Sequence, residues 1–100
     1  MLSPTEIVTA YSRGASALKV FPVSAMGGAK YIKSLQAPLE GIPLIPTGGI
    51  TLDNAAEMIK AGAVAVGLSS SLFPASVIKT GNWQKIADRS QQLLSKLNNV

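Results

Sequence analysis

The 100-residue chain contains no cysteine and no histidine. Without cysteine it has neither disulfide staples nor a thiolate nucleophile, and a zinc site would have only carboxylates to draw on. A reducing, cytoplasmic location is compatible with this. Aromatic residues are also scarce, with one Trp, two Tyr and two Phe. Nine Lys and Arg outnumber five Asp and Glu, for a net charge of +4. The cations Lys30, Lys33, Lys79, Lys85, Arg89 and Lys96 are scattered and never form a run. A nucleic-acid surface needs a basic stripe and stacking aromatics, so no nucleic-acid partner is expected, while a small anionic ligand stays open. The start MLSPTEIV lacks the basic and then apolar pattern of a secretory signal. The longest apolar region, around AGAVAVGL, is far short of the ~20 residues that span a bilayer. No membrane partner is expected.

Length and apolar content suit one globular domain or part of one. SPTE at 3–6 is a helix start, with Ser3 as N-cap, Pro4 in the first helical position and Glu6 closing a capping box. Ile7, Val8, Ala10 and Tyr11 give that helix an apolar face, and Gly14 stops it. ALKVF at 17–21 reads as a first strand, and 27–37 as a helix with Tyr31, Ile32 and Leu35 at helical spacing before Pro38. A second strand is expected over Ile42–Pro46. Thr51 caps a helix over 52–61 with Ala55, Met58 and Ile59 inward, and Gly62 stops it. AVAVGL at 63–68 is a nearly continuous apolar run, as in strands covered on both faces. Ser69-Ser70-Ser71 opens a loop, and Asn82 starts a last helix whose Trp83, Ile86, Ala87, Ser90, Leu94 and Leu97 trace one face.

Alternating helices and strands imply parallel strands joined by helical crossovers, an α/β fold. Lys19, Thr47 and Ser70 fall at corresponding strand ends, about 25 residues apart. Eight such units would need roughly 200 residues, the lower bound for a (β/α)₈ barrel, and this chain holds fewer than half.

Ligands of parallel α/β folds bind at the carboxyl ends of strands. Lys19 is flanked by Leu18 and Val20, which should face the other way if the strand alternates. A lysine aimed into a barrel interior would have its pKa lowered by burial, making a neutral amine available to attack carbonyls. The alternative is a lysine near a strand end whose ammonium reaches water. Thr47 offers a hydroxyl, Gly48 and Gly49 offer unshielded N–H groups, and Ser70 adds a second hydroxyl, together suited to a carboxylate or phosphate. Ordinary turn chemistry would use the same residue types.

SPTEI, LKVFPVSAMGG, PTGGITLDN and VGLSSSLFP together resemble the carboxyl-terminal half of 2-keto-3-deoxy-6-phosphogluconate (KDPG) aldolase, a family that includes 4-hydroxy-2-oxoglutarate aldolases. The resemblance covers nearly the whole chain, and the combined pattern is more specific than any one piece. It implies that residues 1–100 are a single partial domain, the last three strands and their helices of a (β/α)₈ TIM barrel. It implies a class I aldolase working without metal or other cofactor. Lys19 then matches the Schiff-base lysine, Thr47 the threonine near the bound keto-acid, and Gly48, Gly49 and Ser70 the phosphate pocket. The implied ligand is a small keto-acid or a phosphorylated sugar acid, and three strands with open edges imply a homo-oligomer. Two departures accompany it. Many members have a Glu soon after the Phe-Pro pair, where this chain reads Val23-Ser24. The family's general-base glutamate and carboxylate-binding arginine lie in early strands, to which nothing here corresponds. Two other readings compete: a noncatalytic half-barrel that binds phosphate or serves assembly, and another phosphate-binding barrel enzyme.

Overall fold

A computed structural model describes all residues, Met1–Val100. The first helix, α1 (Pro4–Ser12), begins as its sequence dictates. The Ser3 hydroxyl accepts from the Glu6 N–H at 3.3 Å, and the Glu6 carboxylate accepts from the Ser3 N–H at 3.1 Å. These bonds, first the Ser3 N–H and then the Ser3 hydroxyl and Leu2 N–H, favour the charged carboxylate and hold the Glu6 pKa below its ordinary value. Of the expected apolar face only Ile7 is buried, while Val8 and Tyr11 remain exposed.

Strand β1 (Leu18–Val20) is followed by a single 3-10 turn over Val23–Met26 and by α2 (Ala29–Gln36). Strand β2 (Leu44–Pro46) pairs with β1 in parallel, placing Leu18 opposite Leu44, Lys19 opposite Ile45 and Val20 opposite Pro46. Both strands are shorter than their apolar runs. Helix α3 (Ala55–Lys60) starts three residues later than expected, because 52–54 form a lead-in turn. That turn is boxed by two side chains. Thr51 Oγ1 accepts from the Asp53 and Asn54 N–H groups, and Asn54 Oδ1 accepts from the Thr51 N–H at 2.8 Å.

The third expected strand, 63–68, is not a strand. It contributes one parallel bridge, Thr47 to Gly67. Val64 N–H donates to Leu44 O at 3.1 Å and Gly67 N–H to Pro46 O at 3.0 Å. The acceptors are two positions apart on β2 but the donors are three positions apart, so the segment carries one extra residue and cannot run as a regular ladder. No further strand lies beyond it, and Val64 is 60% exposed.

The loop after it holds a helix the sequence reading leaves as coil, α4 (Ala75–Thr80), entered from Pro74 and closed by Gly81 at φ 70°. The last helix, α5 (Trp83–Asn98), begins as expected with the Asn82 side chain accepting from the Lys85 N–H. Its inward face differs from the expected one. Leu93 is buried, Ile86, Ser90 and Leu97 are half-buried, and Trp83, Ala87 and Leu94 are exposed. The cause is tertiary, since α5 packs against both α3 and α4 and each draws the face towards itself.

One core unites the elements, with Ile7 from α1, Leu18 and Val20 from β1, Ile32 and Leu35 from α2, Leu44 from β2, Met58 from α3 and Leu93 from α5. Leu18, Val20, Leu44 and Pro46 all point into it, so the helices cover one face of the sheet. Lys19 and Ile45 lie on the other face. Only 14 of 100 residues are buried, and the radius of gyration of 14.6 Å exceeds the ~13 Å of a compact domain this size. The sheet is open on one side. No helix is long and apolar enough to cross a membrane.

Candidate functional site

Parallel pairing brings the carboxyl ends of β1 and β2 together. Thr47 N–H donates to Val20 O at 2.9 Å, extending the pairing one residue past β2. Val23 N–H then donates to Thr47 O at 2.9 Å and Ser24 N–H to Gly48 O at 3.3 Å, so the loop after β1 is laced to the turn after β2. Lys19, level with Ile45, sits two residues before the level of Thr47 on the same face, because strand side chains repeat every second residue.

Leu18 and Val20 are buried while Lys19 is exposed, as strict alternation requires. The interior that would bury Lys19 is not enclosed by three extended segments, so its ammonium reaches water. Nζ lies over the Phe21 ring, 5.2 Å from the centroid. That is within cation–π range. The same ring closes on Gly48, where an added Cβ would meet Phe21 ring carbons at 3.0 and 3.1 Å and Pro22 Cα at 3.0 Å. Lys19, Phe21 and Gly48 therefore form one cluster.

Gly48 and Gly49 have φ of 91° and 75°, the left-handed region that L side chains rarely adopt. Their carbonyls are occupied, Gly48 O by the Ser24 N–H and Gly49 O by Asn54 Nδ2 at 3.0 Å. Their N–H groups donate to nothing within the chain. Glycine at 49 is also dictated by packing, since an added Cβ would lie 2.4 Å from Ser24 Oγ. Thr47 is half-buried, and its hydroxyl makes only a long contact of 3.4 Å with Ile45 O. It lies over Gly67, where a Cβ would come within 2.6 Å of it.

Ser70 follows the Thr47–Gly67 bridge by three residues and is exposed. Its loop is fixed by Arg89 of α5, whose Nε donates to Ser71 O at 2.9 Å, and the Ser71 hydroxyl is buried without a partner. Lys19, Thr47, Gly48 and Gly49 are thus gathered at one end of the sheet. Ser70 stands at the same end and is not bonded to them. Two concavities of the chain lie elsewhere, one between α2 and α3 and one beside α1. The strand-end residues form an open face.

Four residues of this arrangement escape a motif reading. Phe21 and Ser24 belong to the LKVFPVSAMGG stretch, but their contacts with Gly48 and Gly49, about 25 positions away, leave no signal in the sequence. Gly67 and Asn54 do leave traces. A glycine inside an apolar run signals a bulge or close backbone approach, and Thr-x-x-Asn before a helix is a capping pattern.

A family model described as KDPG and KHG aldolase matches residues 1–89. A 2-dehydro-3-deoxy-phosphogluconate aldolase of Treponema pallidum is 36% identical over 92 residues, covering 92% of this chain and 44% of its own length. A 2-dehydro-3-deoxy-6-phosphogalactonate aldolase of Escherichia coli is 47% identical over 72 residues, 71% of this chain and 35% of the relative. A solved structure described as native KDPGal superposes with a TM-score of 0.84 at 36% identity, over 99% of this chain and 46% of that one. The chain spans less than half the length of each of these three proteins.

Proposed function

The chain belongs to the family of KDPG and KHG aldolases, and on that premise we propose that it is the carboxyl-terminal half of a (β/α)₈ barrel whose Lys19 forms a Schiff base with a 2-keto acid. The observation that carries this reading is the position of Lys19. It stands on the uncovered face of the sheet, at the middle of the three-residue β1 and two residues below the level of Thr47.

The chemistry follows from the amine. Lys19 Nζ, as the free amine, adds to the C2 carbonyl of the keto acid, and the carbinolamine takes up a proton from solvent and loses water to give an iminium. That cation draws the electron pair of the breaking C3–C4 bond, leaving an enamine on the lysine. The C4 hydroxyl gives up its proton and becomes an aldehyde. Protonation at C3 and hydrolysis then release pyruvate and restore the amine. With KDPG the aldehyde is phosphorylated, and with 4-hydroxy-2-oxoglutarate it is glyoxylate.

In this reading the Thr47 hydroxyl orients the keto acid, and Gly48, Gly49 and Ser70 hold the phosphate. The phenyl ring of Phe21 limits the excursions of Lys19. The proton from the C4 hydroxyl needs a base, and the chain's carboxylates are poorly placed for it. Glu6 caps α1, Asp53 pairs with Lys96 at 3.4 Å, Glu57 and Asp88 lie on helices, and Glu40 lies in the loop before β2. The base belongs to the other half of the barrel. Borohydride reduction in the presence of pyruvate tests the proposal, with a stable adduct on Lys19 as the expected result and an unmodified folded chain as the contrary one.

The exposure of Lys19 favours a second reading, a noncatalytic half-barrel that keeps the phosphate turn and serves assembly. The two part on the same experiment. For the 100-residue chain by itself, either reading implies association with a second copy, because the open face leaves Phe21 50% and Val64 60% exposed, and the outer edge of β1 meets only the backbone of Met1. Light scattering is expected to give a mass of two or more chains. A monodisperse monomer at the same concentration would overturn the association.

A further inference from the structure

Ser24 lies where the loop after β1 meets the turn after β2. Its N–H is bonded to Gly48 O, and its side chain fills the space that a side chain on Gly49 would take, with Oγ at 2.4 Å and Cβ at 2.5 Å from that point. The side-chain hydrogen bonds of this turn run from Thr47 to Ile45 O and from Asn54 to Gly49 O. Neither involves the Ser24 hydroxyl, which is exposed and unpartnered. The turn therefore presents three donors without acceptors, the Ser24 O–H and the N–H groups of Gly48 and Gly49. Its own acceptors, Gly48 O and Gly49 O, are already occupied. Such a surface suits an oxyanion with several acceptor oxygens, and a phosphate offers three.

Position along the sheet separates the two anionic ends of a phosphorylated keto acid. Lys19 is level with Ile45, and Gly48 is three residues farther on, up to about 10 Å at ~3.3 Å per residue. The carbonyl end stays with Lys19, and the remote phosphate reaches the turn. We propose that Ser24 is a phosphate-binding residue of this site, its hydroxyl donating to a phosphate oxygen beside the Gly48 and Gly49 N–H groups. This rests on the reading of the site as one for a phosphorylated 2-keto acid.

The test is a titration of the chain with inorganic phosphate, read from the backbone amide shifts of Ser24, Gly48 and Gly49. Saturable shifts at all three are expected. Ser24→Ala should weaken the apparent affinity about tenfold to a hundredfold, the range for a hydrogen bond to a charged group, and Ser24→Thr should retain most of it. Unchanged affinity in Ser24→Ala, or no saturable shift in the unsubstituted chain, overturns the assignment. Pyruvate trapping on the unsubstituted chain separates this from the Schiff-base reading. An adduct on Lys19 without a phosphate response sinks the phosphate roles of Ser24, Gly48 and Gly49 and leaves the Schiff base standing, and a phosphate response without an adduct sinks only the role of Lys19.

Discussion

Gly49→Ala is expected to destabilise the chain by about 2–5 kcal/mol, from two separable causes. The backbone at Gly49 holds φ at 75°, which costs a residue with a Cβ roughly 1–2 kcal/mol. The new methyl would also lie 2.5 Å from Ser24 Cβ. A hydroxyl could rotate away, but a Cβ moves only with its backbone, and the Ser24 backbone is tied to Gly48 O. Overpacking of this kind costs about 1–3 kcal/mol. The sum is a large share of the ~5–15 kcal/mol that holds a domain folded. Combining Gly49→Ala with Ser24→Gly removes the steric part and leaves the backbone part. Urea unfolding of the four variants should therefore show a coupling of about 1–3 kcal/mol in favour of the double variant. Additive losses would mean that the Ser24–Gly49 contact is not as tight as its geometry.

The second large effect concerns turnover. The chain alone is expected to capture a keto acid and cleave it slowly, because no carboxylate stands at the strand ends. If the proposed half-barrel reading holds, joining residues 1–100 behind the amino-terminal half of the Treponema pallidum relative, of whose length this chain covers 44%, should supply further strands and a base. A positioned general base contributes typically about 10² to 10⁴-fold. The chimera should exceed the 100-residue chain in KDPG cleavage by that factor, mainly in kcat. Equal rates would show that this chain contains its own base, with Glu6 of α1 the first residue to replace.

Local chemistry was the most legible part of the sequence. The Ser3–Glu6 box, the Asn82 cap and the alternation around Lys19 involve residues within a few positions of each other, and all appear as read. Elements that depend on neighbours were read less well. The run at 63–68 has the composition of a covered strand, yet nothing flanks its outer side, and an extra residue between Val64 and Gly67 breaks the ladder. Leu93 and Leu94 are adjacent leucines on α5, and the choice between them is made by α3 and α4, not by periodicity. Helix α4 spans only six residues, too few for a helical pattern, although Pro74 and Gly81 mark its two ends.

The site divides along the same line. Lys19, Thr47, Gly48 and Gly49 could be picked out because strand ends are where parallel folds place ligands, and the register brings those ends together. Ser24 could not. Its significance is a contact with Gly49 made across 25 residues, and only the hydrogen bonds from Val23 to Thr47 and from Ser24 to Gly48 create it.

The most direct test of the account is borohydride trapping with pyruvate, read by intact mass and peptide mapping on the folded chain and on Lys19→Ala. The account predicts a single reduced pyruvyl adduct, located on Lys19 and lost in Lys19→Ala, with Lys30, Lys33 and the other surface lysines unmodified. Absence of the adduct, or an equal yield spread over the surface lysines, would contradict it and leave the noncatalytic half-barrel as the reading of this chain.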